Sequence, residues 1–304
     1  MINPPPQTVA RVATVARRTC LLRLLSGEVV EAALRGKLFD ADTDGITVGD
    51  FVRAELEAGQ WAVDEVLPRA NAYLRKGLRK EKQVMFANAD RVIIVASLAR
   101  PQTKIAAIDR FLVAALFGGV PPLLVLTKSD LDDSNARAKE ITDLYDSFDM
   151  PIAVVSNESG DGIESLRAQL TTGVTAIIGN SGVGKSSLAN ALVPNLELRV
   201  QEVSSWSGKG VHTTTAALLI PLSDTALAID TPGMKSFVPY GLTKHNIAAL
   251  FPDIAELAHA CRFRNCAHQS EPDCAVLNAL DEETLAPSRY RSFQRLLSEV
   301  ESEF

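Results

Sequence analysis

Short apolar runs at residues 9–15, 20–25, 29–34, 51–56 and 61–67 are separated by turn residues, among them Gly27, Gly36, Gly45, Gly49 and Gly59. Runs of this length at this spacing predict five short strands and a small all-β unit over residues 1–72. A five-stranded Greek-key barrel fits, as do other small barrels and sandwiches. From residue 89 the pattern changes. Strand-like runs at 91–96, 123–126, 152–155, 174–178, 217–221 and 226–229 alternate with helical periodicity at 105–117, 136–148, 163–170 and 186–192. This alternation predicts an α/β domain over residues 73–238, a parallel sheet covered by helices. Beyond it, residues 239–304 read as helical, ending in an amphipathic stretch at 287–304. In open α/β sheets ligands bind at the carboxyl ends of strands, so the polar loops there are where chemistry is expected.

Composition adds little to the fold but narrows the function. With 46% hydrophobic and 22% charged residues the chain has the makeup of a globular protein, and its 304 residues suit two or three domains at about 100–200 residues each. The apolar stretch 111–126 is broken by Gly118, Gly119, Pro121 and Pro122, and reads as helix end, turn and buried strand. The N-terminus has no apolar core region of the kind a secretory signal needs. The expectation is therefore a cytoplasmic protein with free or metal-bound thiols and no membrane contact. The net charge of −6 argues against bulk attraction to nucleic acid. Residues 1–80 carry 12 Lys and Arg against 10 Asp and Glu, so basic patches are local. One lies at 75–82 (RKGLRKEK), read either as a solvated linker or helix face, or as a phosphate contact. A barrel of the oligonucleotide-binding type usually offers stacking aromatics. Here only Phe39, Phe51 and Trp61 are available, and Phe51 and Trp61 read first as core residues.

The strongest chemical signal is Gly179-Asn180-Ser181-Gly182-Val183-Gly184-Lys185-Ser186, followed by Ser187, between a strand-like and a helix-like run. This is the phosphate-loop pattern in the context that defines it. Its glycines let backbone N–H groups face phosphate oxygens, the helix N-terminus adds positive charge, Lys185 reaches the β- and γ-phosphates and Ser186 can ligate Mg²⁺. Asp230-Thr231-Pro232-Gly233 closes a strand 45 residues after Lys185. Asp230 can hold Mg²⁺ through water, and the Gly233 N–H can meet the γ-phosphate. Between them lies Lys209-Gly210-Val211-His212-Thr213-Thr214-Thr215. A nucleotide switch needs a threonine there whose hydroxyl reaches Mg²⁺. Thr215 is favoured and Thr214 is next.

Thr127-Lys128-Ser129-Asp130 ends another strand-like run and matches the [NT]-K-x-D pattern of guanine recognition. The Asp130 carboxylate can accept from guanine N1–H and the exocyclic amine, a pair adenine lacks, at a cost of several kcal/mol, roughly, for the unpaired charge. Thr127 stands where asparagine is commoner. Ser156-Asn157-Glu158, departing from the usual S-A-K, could supply the backbone contact to the guanine oxygen. The base-reading segments precede the phosphate loop here, the reverse of the ordinary order, so the domain is circularly permuted. The chain leaves the second switch straight into the C-terminal region, and movement at 230–237 is expected to reach it.

That region holds Cys261, Cys266, His268 and Cys274, spaced C-x4-C-x-H-x5-C and including three of the four cysteines. Three thiolates and an imidazole make a closed tetrahedral set for one structural Zn²⁺. Disulfides are the rival reading, but they leave the histidine unexplained. Arg262 and Arg264 lie within the knot, either as nucleic-acid contacts or as solvated charges. Cys20 reads as a buried hydrophobe, and His245 and His259 as surface or packing residues.

The phosphate loop at 179–187, G-K-G-V-H-T-T-T at 208–215, D-T-P-G-x-x-x-F at 230–237, the permuted order, the leading barrel and the trailing Cys/His element together resemble the RsgA/YjeQ family of small-ribosomal-subunit-dependent GTPases. The resemblance covers nearly the whole chain. It implies a GTPase stimulated by the small subunit and its rRNA late in maturation, an oligonucleotide-binding-type barrel in front and a zinc domain behind. It also implies that His212 activates water in place of the glutamine that many GTPases carry after the D-x-x-G glycine, where this chain has Met234. Other readings are an RNA-binding adaptor with a decayed nucleotide site, or a GTPase with a non-ribosomal protein partner. Nothing in the sequence demands more than a monomer.

Overall fold

The structure, a computed structural model, describes residues 7–39, 44–77, 81–132, 134–193, 217–231 and 237–301. Five strands close into a barrel: β1 (Gln7–Val15), β2 (Thr19–Leu24), β3 (Val29–Leu34), β4 (Phe51–Glu57) and β5 (Gln60–Val66), in the order β1-β2-β3-β5-β4. Alternation along each strand turns Ala10, Val12, Leu22, Ala32, Val52, Ala54 and Val63 inward, all but wholly buried. Cys20 joins them, and burial together with the Glu31 charge pushes its thiol up to about 12. Phe51 and Trp61 are only half-buried, and the Arg11 guanidinium lies 4.8 Å from the Phe51 ring centre.

The described residues of the charge-dense connector, 75–77 and 81–82, are not helical, and Glu81 and Lys82 are exposed. Its two ends join an antiparallel hairpin, β6 (Ala72–Lys76) and β7 (Lys82–Ala87). Cross-strand partners Tyr73 and Phe86 are fully buried, with ring centres 5.1 Å apart. Their burial against the next layer decides the conformation.

Six strands form the main sheet, in the order β10 (Ile152–Val154), β9 (Pro122–Thr127), β8 (Arg91–Ser97), β11 (Gly173–Ile178), β13 (Ala226–Asp230) and β12 (Leu218–Pro221). All pairings are parallel except β12 on β13. The central strands are apolar on both faces, as a covered parallel sheet requires. Helices α1 (Ile105–Phe117) and α2 (Ala136–Tyr145), with the hairpin, cover the face of Val92, Ile94, Leu124 and Ile178. Helices α3 (Ile163–Ala168) and α4 (Lys185–Leu192) cover the face of Ile93, Val95, Val125 and Ile177. Because the parallel strands point one way, the loops after β8, β9, β10, β11 and β13 gather at one edge, whatever their order along the chain.

The last helices, α5 (Pro252–Ala258), α6 (Ala275–Asp281) and α7 (Pro287–Glu301), share a core of Phe251, Ile254, Val276, Phe293 and Leu297 with Val113 of α1. Arg289 of α7 is 1% exposed and ion-pairs with Asp109 of α1, itself fully buried, and with Asp253 of α5 through Nε at 2.8 Å. One residue on, Arg110 grips Glu299 of α7 with both guanidinium ends at 2.5 and 2.6 Å and donates to the Phe237 carbonyl at 3.2 Å. Phe237 stacks on Tyr73 at 5.4 Å and touches Phe111 at 5.2 Å. The chain returning from the D-x-x-G segment is thus fastened to the hairpin, to α1 and through Arg110 to α7. Among the described residues no helix is long and apolar enough to cross a membrane.

Candidate nucleotide site and metal cluster

The phosphate loop leaves central strand β11 and ends at the first turn of α4. Gly179 (φ +151°) and Gly184 (φ +96°) occupy backbone conformations that side chains resist. A Cβ on Gly179 would fall 2.6 Å from the Val95 carbonyl, so only glycine lets the loop turn over β8. Val183 is 1% exposed and anchors the loop in the core, while Ser181, Ser186 and Ser187 are exposed. Lys185 is buried, and its Nζ donates to the Gly179 and Asn180 carbonyls at 2.8 and 2.7 Å. Burial lowers its pKa, partly offset by Asp230 at the end of β13. Burial in turn raises the Asp230 pKa, partly offset by Lys185. The two groups are close enough for each charge to offset the other's burial, so the end of β13 meets the start of α4 here. Ser186 and Asp230 offer the hard oxygen donors that Mg²⁺ takes. Thr231, 2% exposed, holds the turn after Asp230 by donating to the Ile177 carbonyl at 2.6 Å. His212, Thr213, Thr214, Thr215 and Gly233 lie outside the described residues.

The base-reading residues converge on this loop from the ends of β9 and β10. Thr127 is fully buried and its hydroxyl donates to the Val183 carbonyl at 2.6 Å. The threonine that stands where asparagine is commoner thus ties this segment to the phosphate loop. Lys128 adopts a left-handed backbone (φ +63°), and its Nζ donates to the Arg100 and Gly182 carbonyls at 2.5 and 3.2 Å. Ser129 is held by its N–H on the Val155 carbonyl at 3.3 Å. Asp130 is exposed, and buried Ser156 donates to its Oδ1 at 2.6 Å. The Ser156 hydroxyl also accepts from the Glu158 and Ser159 N–H groups at 3.2 and 3.0 Å. It therefore orients the carboxylate while Asp130 Oδ2 is left for a ligand. Asn157 donates from Nδ2 to the Gly184 carbonyl at 3.4 Å.

Two parts of this arrangement were not visible in the motifs. The Ser156 side chain, and not only the backbone beside it, meets Asp130. The loop after β8 supplies the Arg100 carbonyl, and Thr103 accepts from the Ser97 N–H at 2.8 Å to shape it. Its position at the carboxyl end of a central strand was the available signal.

At the other pole, Cys261, Cys266, His268 and Cys274 bring their ligand atoms within 4.8 Å of one another. The His268 Nδ1 lies 3.6 Å from Cys261 Sγ and 3.5 Å from Cys274 Sγ, and the two sulfurs are 3.9 Å apart. A zinc ion with bonds of about 2.3 Å to sulfur and 2.05 Å to nitrogen needs tetrahedral edges of about 3.8 and 3.6 Å, which the Cys261, His268 and Cys274 separations match, and Cys266 completes a Cys3His donor set that could hold it. All four cysteines are free thiols, against the disulfide reading. Glu271 organises the loop by accepting from the Ala267, Gln269 and Ser270 N–H groups. Against the burial that would raise it, those bonds hold its carboxyl at about 2. Tyr290 of α7 donates to the His268 carbonyl at 2.7 Å. Arg262 pairs with Asp273 at 2.8 Å, whereas Arg264 is exposed. His245 and His259 are exposed and apart from the cluster.

A phosphate loop, a D-x-x-G strand end and a guanine-type carboxylate, gathered by strands in permuted chain order, define a circularly permuted P-loop GTPase. A family model described as RsgA GTPase matches residues 66–238, and the chain belongs to that family. The small ribosomal subunit biogenesis GTPase RsgA of Bacteroides fragilis is 34% identical over 284 residues, covering 91% of this chain and 92% of that protein. The crystal structure of YjeQ from Thermotoga maritima superposes with a TM-score of 0.75 at 28% identity, covering 97% of this chain and 99% of that one. YloQ, described as a circularly permuted GTPase, gives 0.75 at 22% identity over 100% and 98% of the two chains, which establishes the shared fold. The reading as an adaptor with a decayed site loses its ground.

Proposed function

We propose that this GTPase works in the cytoplasm as a late checkpoint in small ribosomal subunit assembly, stimulated by the subunit and its rRNA. The relatives' names support the ribosomal setting. The observation that carries the nucleotide reading is the joining of Asp130 and the phosphate loop at one sheet edge. In this reading Thr127, Lys128, Ser129, Asp130, Ser156 and Asn157 hold guanine and its loop. Residues 179–187 and Gly233 hold the phosphates of GTP or GDP. Ser186, Thr215 and Asp230 serve Mg²⁺, which neutralises charge on the β- and γ-phosphates. The four-residue Cys/His cluster holds one structural zinc.

The decisive experiment is GTP and ATP turnover with and without purified small subunits. Turnover of GTP alone, accelerated by the subunit, is the expected result; equal use of ATP or indifference to the subunit defeats the reading. Replacing Asp130 by alanine removes two charge-assisted hydrogen bonds to the base, and GTP affinity is expected to fall about 100-fold. His212→Ala is expected to bind GTP normally while losing the stimulated rate. Equal stimulated rates in His212→Ala and the parent protein would rule out the water-activating role.

A further inference from the structure

We infer that the Asn157 side chain is a positioning residue for the β-phosphate end of the nucleotide. This rests on the nucleotide reading above and goes beyond it, because there residue 157 serves the base through its backbone.

Three consecutive carbonyls of the phosphate loop each accept from a base-reading residue. Gly182 accepts from Lys128 Nζ at 3.2 Å, Val183 from Thr127 Oγ1 at 2.6 Å and Gly184 from Asn157 Nδ2 at 3.4 Å. In a trans peptide the C=O of one residue and the N–H of the next share a plane and point opposite ways. Holding these carbonyls toward the base loops therefore turns the N–H groups of Val183, Gly184 and Lys185 the other way, away from those loops, as donors to a bound phosphate must be free to point. Asn157 governs the last of them. The Gly184 carbonyl also accepts from the Leu188 N–H at 2.8 Å as the helix begins, so Asn157 acts where loop becomes helix.

Two details mark the contact as fitted. A Cβ on Gly184 would come within 3.2 Å of Asn157 Nδ2, so the glycine makes room for the amide. The Asn157 Oδ1 is buried with no hydrogen-bond partner, so only the donor half of the amide is engaged. A carbonyl can accept only from Nδ2, which fixes the orientation of the amide. An alanine here would spare that orphaned oxygen, which is costly to bury. Next to it, Ser156 orients Asp130. One dipeptide thus sets the carboxylate with one side chain and the last phosphate-loop amide with the other.

The test compares GDP with GMP, which differ by the β-phosphate. Asn157→Ala is expected to weaken GDP about fivefold, the scale of one hydrogen bond, and to leave GMP unchanged. Asn157→Asp keeps the size but sets a carboxylate against the Gly184 carbonyl, and is expected to weaken GDP further than alanine does. Unchanged GDP affinity in both variants, or equal losses for GDP and GMP, overturns the inference. A parent protein that fails to prefer GDP over ADP instead overturns the nucleotide reading on which it rests.

Discussion

Arg289→Met is expected to destabilise the C-terminal helices by about 3–5 kcal/mol, the scale for leaving one buried charge without its partner. Arg289 is 1% exposed and its guanidinium lies 4.8 to 5.2 Å from the ring centres of Phe148, Phe251 and Tyr145. Two carboxylates from separate segments meet there, Asp109 from α1 and Asp253 from α5. Removing the cation leaves the buried Asp109 carboxylate with hydroxyl partners, Tyr145 and Ser292, but without its counter-charge and close to Asp253. Denaturant unfolding of Arg289→Met, Asp109→Asn and the double variant measures this. The double variant is expected to recover part of the loss, because it removes the fully buried Asp109 charge and leaves only the more exposed Asp253 without its partner. Strictly additive losses would show that the pair does not act as a unit.

The effect has a defined pH dependence. Burial raises the Asp109 carboxyl pKa, and the Arg289 charge opposes that rise. Without Arg289 the folded-state value rises further above the unfolded one. A carboxyl raised in this way destabilises increasingly as pH rises past its unfolded value, fully above its folded value, and not at all well below the unfolded value. The deficit of Arg289→Met should therefore grow as pH rises above about 4, roughly the unfolded carboxylate value, and shrink as pH falls toward it.

Removing the proposed zinc is expected to have the larger consequence. Structural zinc contributes an apparent binding free energy of roughly 10–16 kcal/mol at pH 7, well above the stability of an ordinary domain. The cluster is continuous with the C-terminal core: Cys274 is buried in it, and Cys261 and Cys266 pack against it. Chelation or Cys274→Ser should release about one zinc per chain and abolish the cooperative melting of α5, α6 and α7. Cys20→Ser, altered inside the distant barrel, should keep its zinc. Metal analysis by mass spectrometry, with hydrogen exchange across residues 252–301, reads both outcomes. A parent protein free of zinc, or a Cys274→Ser variant with unchanged protection, would remove the structural role.

The contact at Arg110 alters the expected route between the second switch and the C-terminal region. The chain does not simply run from one to the other. It is fastened at Phe237, and the Arg110 guanidinium holds both the Phe237 carbonyl and Glu299 of α7. Any displacement reaching Phe237 meets α1 and α7 together.

The sequence by itself determined whatever depends on local periodicity or fixed spacing. Barrel strands, the alternating α/β segment, the phosphate loop at 179–187 and the Cys/His cluster are of this kind, since each needs particular residue types at set intervals along one stretch of chain. Tertiary structure alone decided the parallel pairing of β3 with β5 that closes the barrel, and the antiparallel edge strand β12. It also decided the hairpin that the ends of the charged connector join. There the burial of Tyr73 and Phe86 outweighs the local charge. The same holds for the Arg289–Asp109 pair, 180 residues apart, and for the Thr127 and Asn157 contacts with the phosphate loop. Motifs report what a segment can bind, whereas a bond between distant segments exists only once the sheet has set them side by side.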